Sequence, residues 1–326
     1  MTLKKLIASV LARSPLPSVT RRAHRRQLSI LMFHGFASGA LRPFENLEHK
    51  HLEVAKWRMF AGWLAQKYRV IPLSEAVDCL ERGKSLPDYS LCVTMDDGFR
   101  STHDLAFPVL KELAMPASIY LATAFVDEKR PIWVDRVSYS LIQAGQGYAE
   151  LRAAKARLKN QSQDQIEQAV AEIERQTGHA MPLNVNDPAM PATQRSLDWD
   201  QIIAMRDSGL VEFGSHTCTH RIVGRCSREV ALDELRHSRR VIEERVGGRC
   251  DLFCYPNGTP GDFTDESESL AREAGYRATL TTVPGWNAAN ASPFALRRLG
   301  VNNELNLTRF QLMVSGVMAR LEGYGT

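Results

Sequence analysis

An alternation constrains this chain more than any other feature. Short apolar runs recur between stretches of helical spacing from residue 28 to residue 301. Such runs read as strands of parallel β/α units, in which helices cover both faces of a sheet. The spacing predicts strands at Leu28–His34, Arg69–Leu73, Leu91–Met95, Ala117–Ala122, Val211–Gly214, Asp251–Tyr255, Ala278–Thr281 and Leu296–Val301. It predicts helices at Leu52–Gln66, Leu73–Arg82, Leu105–Leu113, Asp200–Ser208, Arg228–Val246 and Asp265–Ala274. Eight strands with intervening helices point to a TIM-like α/β barrel with an incomplete or deformed sheet.

Two segments depart from that rhythm. Residues 133–198 hold a polar helical stretch, Tyr148–Thr177, and a proline-containing loop, Met181–Thr193. A connection of that length is a subdomain or lid, here read as an insertion walling one side of a site. Residues 1–26 carry Lys4, Lys5, Arg13, Arg21, Arg22, Arg25 and Arg26 and no acid. With 41 basic and 37 acidic residues in the whole chain, residues 27–326 hold 34 and 37 and sum to −3. The basic balance therefore belongs to the arm. Its apolar run, Leu6–Ala12, is short and ends at Arg13. That points to an amphipathic arm on an anionic membrane surface in the cytoplasm, with export as its runner-up, or equally to a poorly ordered basic extension. No run reaches the roughly 18 apolar residues of a membrane-spanning helix. The domain shows no basic stripe with aromatics, so nucleic acid is not an expected partner. The six cysteines form no disulfide framework or complete zinc-finger pattern, which is compatible with a reducing compartment.

Three motifs carry chemistry. Thr94-Met95-Asp96-Asp97-Gly98 puts two carboxylates at a strand end before a glycine turn. Adjacent carboxylates repel unless something positive lies between them. His216-Thr217-Cys218-Thr219-His220 puts two imidazoles four residues apart after another strand, where a helical turn would bring them to one ion. Each motif alone is weak: the first is a common surface turn, and a lone histidine is more often structural. Together they supply one carboxylate and two imidazoles at strand ends. Three protein ligands leave a coordination position for water, the catalytic arrangement. Asp97, His216 and His220 are the candidate ligands, and Asp96 is left to take a proton from that water. Phe253-Cys254-Tyr255-Pro256-Asn257-Gly258 is a turn that can aim a backbone N–H inward at an oxyanion, or an ordinary loop.

These motifs resemble the polysaccharide deacetylases, the NodB-homology group of carbohydrate esterases, over about residues 27–301. Thr94–Gly98 is similar to the family's T-F-D-D-G, and His216–His220 fits H-[ST]-x-x-H. Ile30–His34, Trp199, Gly214–His216 and Tyr255–Gly258 fit a branch found in exopolysaccharide and glycolipid pathways. The resemblance implies a deformed (β/α)7 barrel, so one of the eight strands is peripheral. It implies Asp96 as general base, a divalent ion on Asp97, His216 and His220, and the Asn257 N–H at the oxyanion. The expected ion is zinc, with cobalt, nickel or iron as alternatives. His34, Tyr255, Pro256 and Arg298 are the candidate substrate contacts, with Trp133 and Trp286 as further pocket walls, whereas Trp199 reads as core.

Two positions depart from the family pattern. Where many members carry an arginine that orients the base, this chain has Cys254. Where the family's Leu-x-His supplies an acid, it reads Leu296-Arg297-Arg298. Arginine does not donate a proton near neutral pH, so the acid falls to His34 or to Asp96 serving both steps. The expected reaction is removal of an N-acetyl group from a glycan or glycolipid sugar. The rivals are a deformylase or other non-peptide amide hydrolase on a lipid-linked sugar, and a sugar-binding barrel without catalysis.

Overall fold

Eight parallel strands form one sheet whose order nearly follows the chain. They are β1 (Ser29–Phe33), β2 (Arg69–Val70), β3 (Ser90–Met95), β4 (Ala117–Leu121), β5 (Val211–Ser215), β6 (Leu252–Cys254), β7 (Ala278–Leu280) and β8 (Leu299–Gly300). The continuous path is β8-β1-β3-β4-β5-β6-β7, and β2 pairs only with the start of β3. A parallel bridge between Leu280 and Leu296 brings the approach to β8 back against β7 and curls the sheet into the deformed barrel. The peripheral strand among the eight expected is thus β2. The computed structural model describes residues 10–39, 41, 45–46, 49–188 and 190–322.

Strand parity builds the interior. Every residue of β3 and β4 is buried, as both faces of a parallel strand require. Alternate residues share a face. Leu31, Phe33, Leu91, Val93 and Met95 pack outward under the helices. Leu28, Ile30, Cys92, Tyr120, Leu252, Cys254, Leu280 and Leu296 form a separate inner cluster. Continued to the strand ends, that inner parity leads to His34, Asp96 and His216, and Arg298, just before β8, shares it with Leu296. The apolar barrel floor therefore turns polar at its C-terminal rim.

Several boundaries differ from the sequence reading for local reasons. The helix expected from Leu52 begins at Val54, because Leu52–Glu53 pairs in parallel with Phe36–Ala37. The helix expected at Leu105–Leu113 is a π-turn, Thr102–Ala106, leading into Phe107–Glu112. The polar stretch Tyr148–Thr177 is two helices, Tyr148–Leu158 and Gln163–Thr177. Ser162 restarts the second with a capping box, its Oγ accepting from the Gln165 N–H and its N–H donating to the Gln165 side chain. With the helix Trp133–Gln143 these enclose a core of Trp133, Val137, Leu151, Leu158, Ile166 and Val170 that continues into Phe99, Phe125 and Ile222 of the barrel.

The arm is only partly separate. Residues 1–9, with Lys4, Lys5 and the start of the apolar run, lie outside the described residues. Leu16–Ala23 is a helix packed against Leu307–Val314 and Val317–Glu322. Arg21 lies over the rings of Tyr68 and Tyr89 at 6.0 and 5.5 Å, and Arg25 pairs with Asp88. The arm's helix thus ends before residue 26 and is docked on the barrel domain. Its contacts lie beside strand starts, opposite the polar rim. No helix among the described residues is long and apolar enough to cross a membrane.

Candidate metal centre and active site

Asp96 continues the inner face of β3 and donates its N–H to Phe33 O. The next residue breaks the strand: Asp97 has φ +76° and Gly98 φ +91°. This left-handed turn lets two neighbouring carboxylates face one opening. Gly98 is required twice over, because a Cβ there would come within 3.0 Å of Val126 and 3.1 Å of Leu121.

The imidazoles converge without the helical turn expected of their spacing. Residues 216–222 form a loop with Thr217 at φ +62° and His220 at φ +59°. Glu234, from the helix Arg228–Val246, holds it by accepting from the Cys218 and Thr219 N–H groups and the Thr219 hydroxyl at 2.7–2.9 Å. His216 Nε2 and His220 Nε2 each lie 3.4 Å from Asp97 Oδ1. His216 Nδ1 is 2.8 Å from Cys254 O, a contact only a protonated Nδ1 can make, which leaves Nε2 as the ligating nitrogen.

This set fits a divalent ion. Two ligands on a tetrahedral ion with arms of about 2.0–2.1 Å sit roughly 3.4 Å apart, the spacing of both Nε2 atoms from Oδ1. Asp97 Oδ1 is buried with no hydrogen-bond partner, an arrangement a carboxylate seldom keeps unless a cation completes it. Burial alone would raise the Asp97 carboxyl; His216, His220 and His34 override it and hold it well below the ordinary carboxylate range.

A second group of donors, Asp96, His216 and Cys254, also draws together. There a cation is already built in. Arg298 Nη1 donates to Asp96 Oδ1 and Nη2 to Oδ2, both at 2.8 Å, and Nη2 lies 2.9 Å from Cys254 Sγ. Its Nε donates to Thr281 O and its Nη1 also to Thr94 Oγ1. Burial pushes the Asp96 carboxyl up, but the charge and hydrogen bonds of Arg298 more than offset it and leave it below its usual value.

Residues 83–279, more than half of the chain, match the family model for polysaccharide deacetylase. The chain belongs to the polysaccharide deacetylase family. YxkH of Bacillus subtilis (strain 168), which carries the polysaccharide deacetylase name, is 21% identical over 285 residues, covering 87% of this chain and 75% of its own. Among solved structures, the Streptococcus pyogenes deacetylase PplD in complex with acetate superposes with a TM-score of 0.61 at 16% identity, covering 88% of this chain and 98% of its own. A de-N-acetylase from Aggregatibacter actinomycetemcomitans gives 0.59 at 15%, covering 87% and 99%. At such identities the two structures establish a shared fold.

Several expected substrate contacts of this family member lie elsewhere. Arg298 has 0% exposure, beneath Asp96, so it positions that carboxylate and presents nothing to a sugar. The ring of Tyr255 is buried among Phe253 and Phe263, and Pro256 is buried as well. Trp133 belongs to the core of the insertion. Trp286 stacks on His24, next to the strand starts. Trp199 is half-buried against the core, its Nε1 donating to Asp127. His34 follows β1, half-buried at the rim; burial lowers its pKa against the opposing pull of Asp97 and Asp96. Asn257 sits at φ +59°, and its N–H takes no acceptor among the described residues.

Four buried or half-buried polar residues near the site escaped the sequence reading. Glu234 shapes the histidine loop. His51 is fully buried, edge-on to Phe99, with both ring nitrogens unpaired. Lys50 Nζ lies 2.9 Å from Asp135 Oδ1 and 4.0 Å from Asp97 Oδ2. Asp135 comes from the first helix of the insertion, which therefore reaches the rim of the site.

Proposed function

We propose that this chain is a metal-dependent deacetylase that hydrolyses the N-acetyl amide of an amino-sugar residue in a glycan. The observation that carries the reading is the pairing of an open Asp97–His216–His220 set with a second, fixed carboxylate beside it. Asp97, His216 and His220 would hold the ion, and zinc suits their nitrogen and oxygen donors best. Bound there, such an ion supplies Lewis acidity toward the amide carbonyl and toward water.

The chain's own groups do the rest. Asp96, ionised and fixed by the bidentate Arg298 contact, accepts the proton of the attacking water. The Asn257 N–H faces the oxyanion of the tetrahedral intermediate, a contact worth about 2.7–4 kcal/mol of barrier in comparable sites. The amine must leave protonated. Burial lowers the pKa of His34, which disfavours it as the proton donor. Protonated Asp96 is a strong acid because Arg298 favours its ionised form, so it returns the proton to the departing nitrogen and serves both steps.

Docking of the arm beside the strand starts supports a glycan in solution over a lipid-linked sugar. The exposed Arg13, Arg22 and Arg26 suit an anionic membrane surface, but attachment there directs the polar rim away from lipid. Sedimentation with anionic vesicles tests that attachment. Acetate release from N-acetylated oligosaccharides, lost on chelation and restored by Zn²⁺, tests the function. Formate release from N-formylated sugars with no acetate from the acetylated ones would replace it with a deformylase.

A further inference from the structure

The non-ligating oxygen of Asp97 faces a second cation. While Oδ1 looks at the two imidazoles, Oδ2 lies 4.0 Å from Lys50 Nζ. That ammonium is closer to Asp135 Oδ1, at 2.9 Å, and rests over the Phe99 ring at 4.8 Å. Its backbone is tied on both sides: His49 O accepts from the Asn303 N–H, and His51 exchanges two hydrogen bonds with the Asn46 side chain. Asp135 is equally fixed. It stands in the first turn of the helix Trp133–Gln143, which Arg136 clamps to Glu167 and Glu174 of the neighbouring insertion helix.

We propose that Lys50 and Asp135 form a clasp that sets the metal affinity of the Asp97–His216–His220 centre, with Asp135 holding the ammonium off the metal-binding carboxylate. The inference rests on the metal reading above. A lysine ammonium and a divalent ion compete for the same carboxylate. Closing the gap from 4.0 Å to an ordinary charge-assisted hydrogen bond of about 2.8 Å takes roughly 1 Å of side-chain movement. Asp135 prevents it by offering the better-placed acceptor, and its charge makes the pair neutral toward the ion. Lys50 and Asp135 are positioning residues, and through them the placement of the insertion bears on the metal.

The test is Zn²⁺ affinity of the full chain, read by competition with a chromophoric chelator, in a double-mutant cycle. Asp135→Asn, nearly isosteric, releases the ammonium onto Asp97 and weakens Zn²⁺ binding about tenfold or more, as loss of an outer partner typically does. Lys50→Met binds Zn²⁺ at least as tightly as the unaltered chain. The double variant returns to within about twofold of the unaltered chain, a recovery that simple damage at position 135 would not allow. Unchanged affinity in Asp135→Asn, weakened binding in Lys50→Met, or a double variant as weak as Asp135→Asn each overturns the clasp. His216→Ala separates the two ideas. If the unaltered chain binds Zn²⁺ no better than His216→Ala, the metal reading fails and the clasp with it. If His216→Ala loses the ion while Asp135→Asn binds it as tightly as the unaltered chain, only the clasp is wrong.

Discussion

Asp96 and Asp97 are neighbours in sequence and nearly equal in burial, at 2% and 3% exposure, yet they acquire opposite partners. Asp96 keeps the strand's inner parity and meets a permanent cation, Arg298, on both oxygens. Asp97 turns out of the strand at φ +76° and meets two imidazoles with a gap among them. One carboxylate is neutralised by the fold, and the other is left for an exchangeable ion. A general base needs fixed orientation and a low pKa. A metal ligand needs an unfilled direction. The contrast teaches that a single peptide turn can divide those requirements between adjacent identical side chains.

The comparison can be broken most directly on the Asp97 side. His216→Ala should lose both bound metal and acetate release, read by elemental analysis and by product assay. Retained metal would mean that the three-ligand set is misassigned. On the Asp96 side, Asp96→Asn should keep the metal while kcat falls about 10²–10⁴-fold, the usual contribution of a general base. Near-normal turnover would remove Asp96 from that role. Arg298→Met leaves a buried carboxylate unpaired, which costs about 3–5 kcal/mol in thermal or denaturant unfolding. It should also move the acidic limb of the pH–rate profile. Asp96 acts when ionised, so activity disappears as pH falls through its pKa. Arg298 keeps that pKa low, and without it burial is unopposed and the limb shifts to higher pH. An unmoved limb would separate Arg298 from the base. The smallest effect is expected of Glu234→Gln, which loosens the histidine loop and weakens Zn²⁺ by roughly tenfold while leaving the acidic limb where it was. A shifted limb there would show that the two carboxylates are not independent.

The parts of this site legible in the sequence are those whose chemistry is local. Asp96-Asp97-Gly98 announces a turn with two carboxylates, and His216 and His220 announce a pair of ligands. The helical turn expected between the histidines is absent, because two left-handed residues and the Glu234 side chain do the same work. Arg298 was visible as a departure from the family pattern, but its partner lies 202 residues away in the chain. Only closure of the barrel puts its guanidinium beside Cys254, where the family's base-orienting arginine was expected. Lys50 and Asp135 carried no signal at all: a single lysine in a loop and a single acid in a helix's first turn are ordinary surface residues until packing buries them together.

The sequence by itself determined the β/α alternation, the barrel class and the strand ends that carry the carboxylates and imidazoles. Hydrophobic periodicity and turn chemistry are properties of short windows and can be read there. Tertiary structure alone decided which cation meets which carboxylate. Charge pairing depends on distances of a few ångströms between elements hundreds of residues apart, and a window of sequence does not contain them.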